Sequence, residues 1–215
     1  MAYKVILFDV DGTLCNPGRS MLESAKYALN HLGINETDEA SLNRLIGPPL
    51  EHAFRDCYGF DEETANKAVG LFREKMQKDG TTLYDAYPRI RELLRELKTA
   101  GKTLAVVTSK IDHIATDVLN GTSLLQYFEV VSAQQPNIVV DKEKILSKAL
   151  NDLGVDANSE VVMIGDRKHD IEAANTHGLD SIGVLWGYGT SDELKNEGAT
   201  FLAKDANELK QILLG

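Results

Sequence analysis

Val5-Ile6-Leu7-Phe8-Asp9-Val10-Asp11-Gly12-Thr13 opens the chain almost at once. Four consecutive apolar residues without alternation predict a strand covered on both faces, the pattern of a parallel sheet. The run stops abruptly at two aspartates and a glycine. In open α/β sheets the ligand crevice lies outside the carboxyl ends of the strands, which is where Asp9 and Asp11 fall. Two carboxylates there can divide the roles of nucleophile and general acid/base, as aspartyl-phosphate chemistry requires. Gly12 lets the chain turn away tightly. A turn whose aspartates bond their own backbone accounts for the same string. A calcium loop does not, because Leu14 stands where the glycine is needed and Ser20 where the bidentate glutamate is needed.

Similar apolar runs recur at Leu104-Ala105-Val106-Val107, Val130-Val131, Val161-Val162-Met163-Ile164 and Ser181-Ile182-Gly183-Val184, with a shorter one at Ala199-Thr200-Phe201-Leu202. Helical spacing lies between them. Ile90, Leu93, Leu94 and Leu97 recur at intervals of three and four before Gly101, and Ile145, Leu146, Ala149, Leu150 and Leu153 do so before Gly154. Leu209 to Leu214 reads as a terminal helix. From about residue 86 onward strand and helix alternate, so the expected fold is α/β, a doubly wound, Rossmann-like parallel sheet. Residues 17–80 break the alternation. They contain no credible strand and read as helices near 19–32, 38–45, 50–58 and 61–78, broken by Gly33, Gly47-Pro48-Pro49 and Gly59. A loop between strand and helix usually has about 2–6 residues, so this stretch is an inserted all-helical cap domain. The expected division is a core of 1–16 and 81–215 with a cap of 17–80, hinged near Asn16-Pro17 and Thr81-Thr82.

A second carboxylate pair follows the run that ends at Ile164, in Gly165-Asp166-Arg167-Lys168-His169-Asp170. Asp166 falls at the strand end and Asp170 at or near the start of the next helix. Oxygen-only ligands beside a phosphate suit Mg²⁺, a hard cation; N-capping by Asp170 is the plainer account. The run ending at Val107 continues into Thr108-Ser109-Lys110, which offers hydroxyls and backbone N–H groups to a phosphate at a helix start, or merely a cap. Lys142 begins the face that carries Ile145, Leu146, Ala149 and Leu150, so it points to the sheet edge. Lys144 is about 200° away around the helix and faces water. His169 and His177 read as surface or packing residues. The glycines of Trp186-Gly187-Tyr188-Gly189 permit either a flexible turn or close approach to a ligand.

The chain has 215 residues, with 23 Lys+Arg against 33 Asp+Glu and a formal charge of −10. Hydrophobic residues make up 43%, enough for a real core and too many for a disordered chain. The acidic balance argues against nucleic acid or an anionic membrane as partner. It permits an anionic substrate, because one metal or local cation can reverse the field at a site. Two cysteines, Cys15 and Cys57, are too few for a disulfide framework. With no apolar run of about 18–20 residues and no signal-peptide pattern, the expected location is cytoplasmic.

Taken together, Asp9-x-Asp11-Gly12-Thr13, the helical insert, Thr108-Ser109, Lys142 and Gly165-Asp166-x-x-x-Asp170, in that order, resemble the haloacid dehalogenase-like hydrolase superfamily. The chain is most similar to its phosphoglycolate phosphatase-like branch with a helical cap. The resemblance implies that Asp9 attacks phosphorus and that Asp11 protonates the leaving oxygen and later activates water. It implies that Thr108 and Ser109 hold the phosphoryl oxygens, that Lys142 neutralises charge, and that the Gly12 and Asp11 N–H groups help stabilise the transferring group. Mg²⁺ is implied on the Asp9 carboxylate, the Asp11 carbonyl and Asp166, with Asp170 assisting. Two positions depart from the family pattern. Its lysine is often followed by proline, whereas Glu143 follows Lys142, and Arg89 follows Tyr87-Pro88 where glycine is common. The superfamily's dehalogenases lack the second aspartate, so Asp11 speaks against that activity.

The expected function is a Mg²⁺-dependent phosphatase acting on a small-metabolite phosphomonoester, phosphoglycolate-like or a nucleotide monophosphate. The alternatives are a sugar-phosphate mutase of the same superfamily and a non-enzymatic binding protein on this fold. The implied partner is a small phosphorylated metabolite. Monomer and dimer both remain open.

Overall fold

The computed structural model describes residues 3–45, 50–79, 83–136 and 140–215. They divide into two compact units, one of Met1–Asn16 with Asp85–Gly215 and one of Pro17–Tyr84. The expected break at Gly47-Pro48-Pro49 and the expected hinge at Thr81-Thr82 fall outside the described residues.

The first unit is built on β1 (Val5–Phe8), β4 (Thr103–Ile111), β5 (Val130–Gln134), β6 (Val161–Gly165), β7 (Asp180–Val184) and β8 (Phe201–Ala203). The sheet order is β5-β4-β1-β6-β7-β8, with every neighbouring pair parallel. The unbroken apolar runs therefore do what their lack of alternation predicts, lying buried with both faces covered. Val5 and Leu7 pack with Ile145, Leu146, Ala149 and Ala173 from α7 (Lys142–Leu153) and α8 (Lys168–Thr176). The alternate residues Ile6 and Phe8 point to the other face, where the Phe8 ring meets Phe128 edge-on at 6.1 Å. α6 (Asp112–Gly121) packs against β4 and β5, and α10 (Ala206–Leu214) against α5 (Ile90–Thr99) and β8. From β1 the chain runs outward through β4 and β5, then returns beside β1 with β6 and continues outward the other way. That reversal is the topological switch at which such sheets bind ligands, and it places Asp9 and Asp166 on adjacent strand ends.

Two short strands had no signature in the sequence. β2 (Cys15–Asn16) pairs antiparallel with β3 (Asp85–Ala86), where the chain leaves and re-enters the sheet unit. Two-residue strands are too short for any period to register. The last strand begins two residues later than its apolar string, at Phe201. Both cysteines are free, Cys15 buried and Cys57 half-buried.

The second unit contains α1 (Gly18–His31), α2 (Glu39–Asn43), α3 (Leu50–Tyr58) and α4 (Glu62–Asp79). Its own core is made by Ala25, Leu29, Leu42, Phe54, Val69 and Phe72. The Asp38 carboxylate caps α2, accepting from Ala40 N and Ser41 N. Among the described residues no helix is long and apolar enough to cross a membrane.

Candidate active site

The Asp9 N–H still belongs to the sheet, donating to Ile164 O at 2.9 Å. One residue later the chain turns, with Thr13, Leu14 and Cys15 N–H groups all donating to Val10 O. Gly12 sits at the tightest point, at φ 81°. A Cβ there would lie 2.1 Å from Asp166 Oδ2, so no side chain fits. The Gly12 N–H donates to Cys15 O at 3.0 Å. What Gly12 contributes to the site is therefore room, and its N–H is engaged inside the turn.

The helical phase of α7 brings Lys142 to the strand ends. Its Nζ lies 2.7 Å from Asp9 Oδ1 and also contacts Asp170 Oδ1. Lys144 is exposed. Two carboxylates on one buried ammonium group push the Lys142 pKa up, against the burial that lowers it. Asp170 is fully enclosed, and its Oδ2 accepts from Arg167 N at 3.0 Å. Asp170 thus both caps α8 and holds Lys142. Gly165 makes this possible, because a Cβ there would fall 2.0 Å from the Asp170 carboxyl carbon.

Asp9, Asp166 and Asp170 each bring one carboxylate oxygen within 4.8 Å of the others. Asp166 has no exposed surface, and burial pushes its pKa up to about 7. Its Oδ2 accepts from Tyr188 N at 2.8 Å, while Oδ1 is buried and has no partner among the described residues. An all-oxygen set with an orphaned buried oxygen fits a hard divalent cation. The Asp11 carboxylate stands apart from that trio. Its Oδ2 pairs with Lys110 Nζ at 2.8 Å, its Oδ1 has no partner among the described residues, and burial raises its pKa while Lys110 opposes the rise. Lys110 and Lys142 pair with three of the four carboxylates, Asp11, Asp9 and Asp170, and Arg167 on the same cavity wall pairs with Glu193.

Asp9, Asp11, Thr108, Ser109, Lys142 and Asp166 line one cavity of about 350 Å³. Thr108 is buried, its Oγ1 accepting from Lys110 N at 3.2 Å, and Ser109 is exposed. Lys110 ends the Thr108-Ser109-Lys110 string, where the pairing of β4 with β5 shifts register between Thr108 and Ile111, so strand period does not assign its side chain to the site. Arg89 is not part of the site. It starts α5, exposed, in a small hollow with Glu92, Glu96 and Lys210. His169 is exposed beside Glu172 at 3.4 Å.

A parallel sheet with paired aspartates on adjacent strand ends and a lysine from α7, the helix that leads into β6, defines a phosphoryl-transfer class of α/β protein. The sequence profile of the haloacid dehalogenase-like hydrolases matches residues 6–184, and the chain belongs to that family. It is 36% identical to a 5'-nucleotidase of Pseudomonas aeruginosa, over 99% of this chain and 96% of the relative. It is 33% identical to the tyrosine-protein kinase PtkA of Mycobacterium tuberculosis, over 98% of this chain and 72% of that protein. The crystal structure of a putative phosphatase from Clostridium difficile superposes with a TM-score of 0.92 at 35% identity, covering 100% of both chains.

Proposed function

We propose that the protein is a Mg²⁺-dependent phosphatase that hydrolyses a small phosphomonoester through a phospho-aspartyl intermediate on Asp9. The observation that carries this is Asp9 at the end of the central strand, 2.7 Å from the buried Lys142 ammonium and in one cavity with Asp11 and Thr108. Asp9 attacks phosphorus, and the bond from phosphorus to the leaving oxygen breaks. Asp11 passes a proton to that oxygen. The resulting Asp11 carboxylate then takes a proton from water, whose oxygen attacks phosphorus and displaces Asp9, freeing orthophosphate. Asp11 ends protonated and Asp9 ends as a carboxylate, so the cycle closes. Lys142 neutralises charge at Asp9 as the phosphoryl group approaches, and Thr108 and Ser109 orient its oxygens. The Asp9 and Asp166 carboxylates and the Asp11 carbonyl would hold Mg²⁺, with Asp170 acting through Lys142. Bound there, Mg²⁺ supplies the positive charge that lets a carboxylate approach a phosphate dianion.

The helical unit of Pro17–Tyr84 is proposed as the cap that screens substrates. The 5'-nucleotidase relative makes nucleoside monophosphates the first substrates to test, with phosphoglycolate and sugar phosphates beside them. Free cysteines are consistent with a cytoplasmic location. The deciding experiment is orthophosphate release across that panel with and without Mg²⁺. Release that needs Mg²⁺ and vanishes in Asp9→Asn is expected. No release from any substrate, or equal release by Asp9→Asn, overturns the hydrolase reading. Isomerisation of a sugar phosphate with little net release points instead to a mutase.

A further inference from the structure

The loop after β7, Leu185-Trp186-Gly187-Tyr188-Gly189, has no part in the steps above, yet its backbone lies directly on Asp166. The Tyr188 N–H donates to Asp166 Oδ2 at 2.8 Å. A Cβ on Gly187 would lie 2.4 Å from Asp166 Oδ2 and 2.5 Å from Gly12 O, and one on Gly189 would lie 1.9 Å from Asp166 O. Both glycines are therefore required by contact, whatever their backbone angles. The loop is pinned at two further points to the segment that carries Asp9. The Trp186 indole N–H donates to Thr13 O at 3.0 Å, and the Tyr188 hydroxyl donates to Asn16 Oδ1 at 3.1 Å. The remaining Asp166 oxygen, Oδ1, is buried and unpartnered among the described residues.

We propose that residues 186–189 are a positioning device for Asp166, in which the Tyr188 N–H holds Oδ2 so that Oδ1 is the oxygen presented to a divalent cation. The proposal rests on the cation site of the function proposed above. A carboxylate free to rotate must be ordered when it binds a metal, whereas one held by its second oxygen is ordered in advance. Loss of such an outer partner typically weakens metal binding by about 10–100-fold. Because the donor is a peptide group, the residue type at 188 matters less than the presence of its N–H.

The test is Mg²⁺ binding to the full chain without substrate, measured by titration calorimetry. Tyr188→Pro deletes the N–H, and Gly187 before it has no Cβ to clash with the proline ring. Tyr188→Phe keeps the N–H and removes only the hydroxyl. Tyr188→Pro is expected to bind Mg²⁺ about 10–100-fold more weakly, and Tyr188→Phe, which loses the Asn16 contact, to bind it more tightly than Tyr188→Pro. Gly187→Ala is expected to weaken binding like Tyr188→Pro, by forcing the loop off Asp166. In the wild-type protein the Tyr188 amide is expected to exchange slowly with solvent, a measurement that needs no variant to fold. Wild-type affinity in a folded Tyr188→Pro or Gly187→Ala protein, or a Tyr188 amide exchanging at open-loop rates, overturns the proposal. Asp166→Asn separates the two levels. If it binds Mg²⁺ like wild type, the cation site itself is wrong. If it loses binding while Tyr188→Pro keeps it, only the positioning role falls.

Discussion

The Asp166 carboxyl is held in the fold with no exposed surface. An unfolded aspartate titrates near ~3.9, and burial pushes Asp166 up to about 7 in the folded chain. Between those values the folded form binds the extra proton, so this group's contribution to stability falls as pH rises and is lowest above about 7. Without a divalent cation, Asp166→Asn should therefore stabilise the protein, by on the order of 1–4 kcal/mol above the folded pKa. The gain should shrink as pH is lowered toward the unfolded value. Urea midpoints over that pH range provide the check, and a gain that does not vary with pH refutes the account. Asp11 and Lys142 are argued at the same scale. Asp11→Asn should lower kcat by about 10²–10⁴-fold, the usual worth of a general acid/base, and full turnover in that variant removes the role. Lys142→Ala leaves Asp9 and Asp170 facing each other without their shared cation. It should cost about 3–5 kcal/mol of stability as well as activity, whereas the exposed Lys144→Ala should leave both unchanged. Equal losses in the two lysine variants refute the assignment.

Elements put these residues into register. β1, β4 and β6 lie side by side, with Phe8 opposite both Val106 and Ile164, and β4 runs on past that level to Ile111. Asp9 and Asp166 follow β1 and β6 directly, and Thr108 to Lys110 lie on the part of β4 that extends past them. α5 shows a local cost of that chain path. Its N-cap is Arg89, whose φ of 65° is left-handed. Such a conformation costs a side chain roughly 1–2 kcal/mol, and glycine recovers it while losing about 0.4–1 kcal/mol to its freer unfolded chain. Arg89→Gly should raise stability by about 0.5–1 kcal/mol by urea unfolding, with phosphate release unaffected. A destabilised variant would show that the Arg89 side chain compensates for its backbone. The helical stripe on α7 was legible because period alone sets which face a residue shares, so Lys142 could be told from Lys144. Lys110 was harder to find, since an isolated lysine beside a hydroxyl pair reads as surface charge until Asp11 is seen 2.8 Å away.

At the scale of the whole molecule, the chain carries −10 and gathers Asp9, Asp11, Asp166 and Asp170 around one cavity. If the proposed Mg²⁺ site is right, the ion binds the folded state and not the unfolded chain, which lacks this arrangement. Mg²⁺ at about 100 times its dissociation constant should add about 2.7 kcal/mol of stability. In a chain of this size that is a rise of roughly 5–10 °C in Tm. The rise should disappear in Asp166→Asn; its persistence there refutes the site.

The sequence by itself determined the α/β class, the helical insert, the two acidic strand ends and the lysine that faces them. Apolar runs, helical period and breaks are local properties, and local sterics and burial suffice to read them. Tertiary structure alone decided the strand order β5-β4-β1-β6-β7-β8, the pairing of Lys110 with Asp11, and the seat of the 186–189 loop on Asp166. Those depend on contacts between segments far apart in the chain, and the last is made by peptide groups, which every residue carries. Gly187 and Gly189 look like flexibility in one dimension. In three they are the space in which a carboxylate is held.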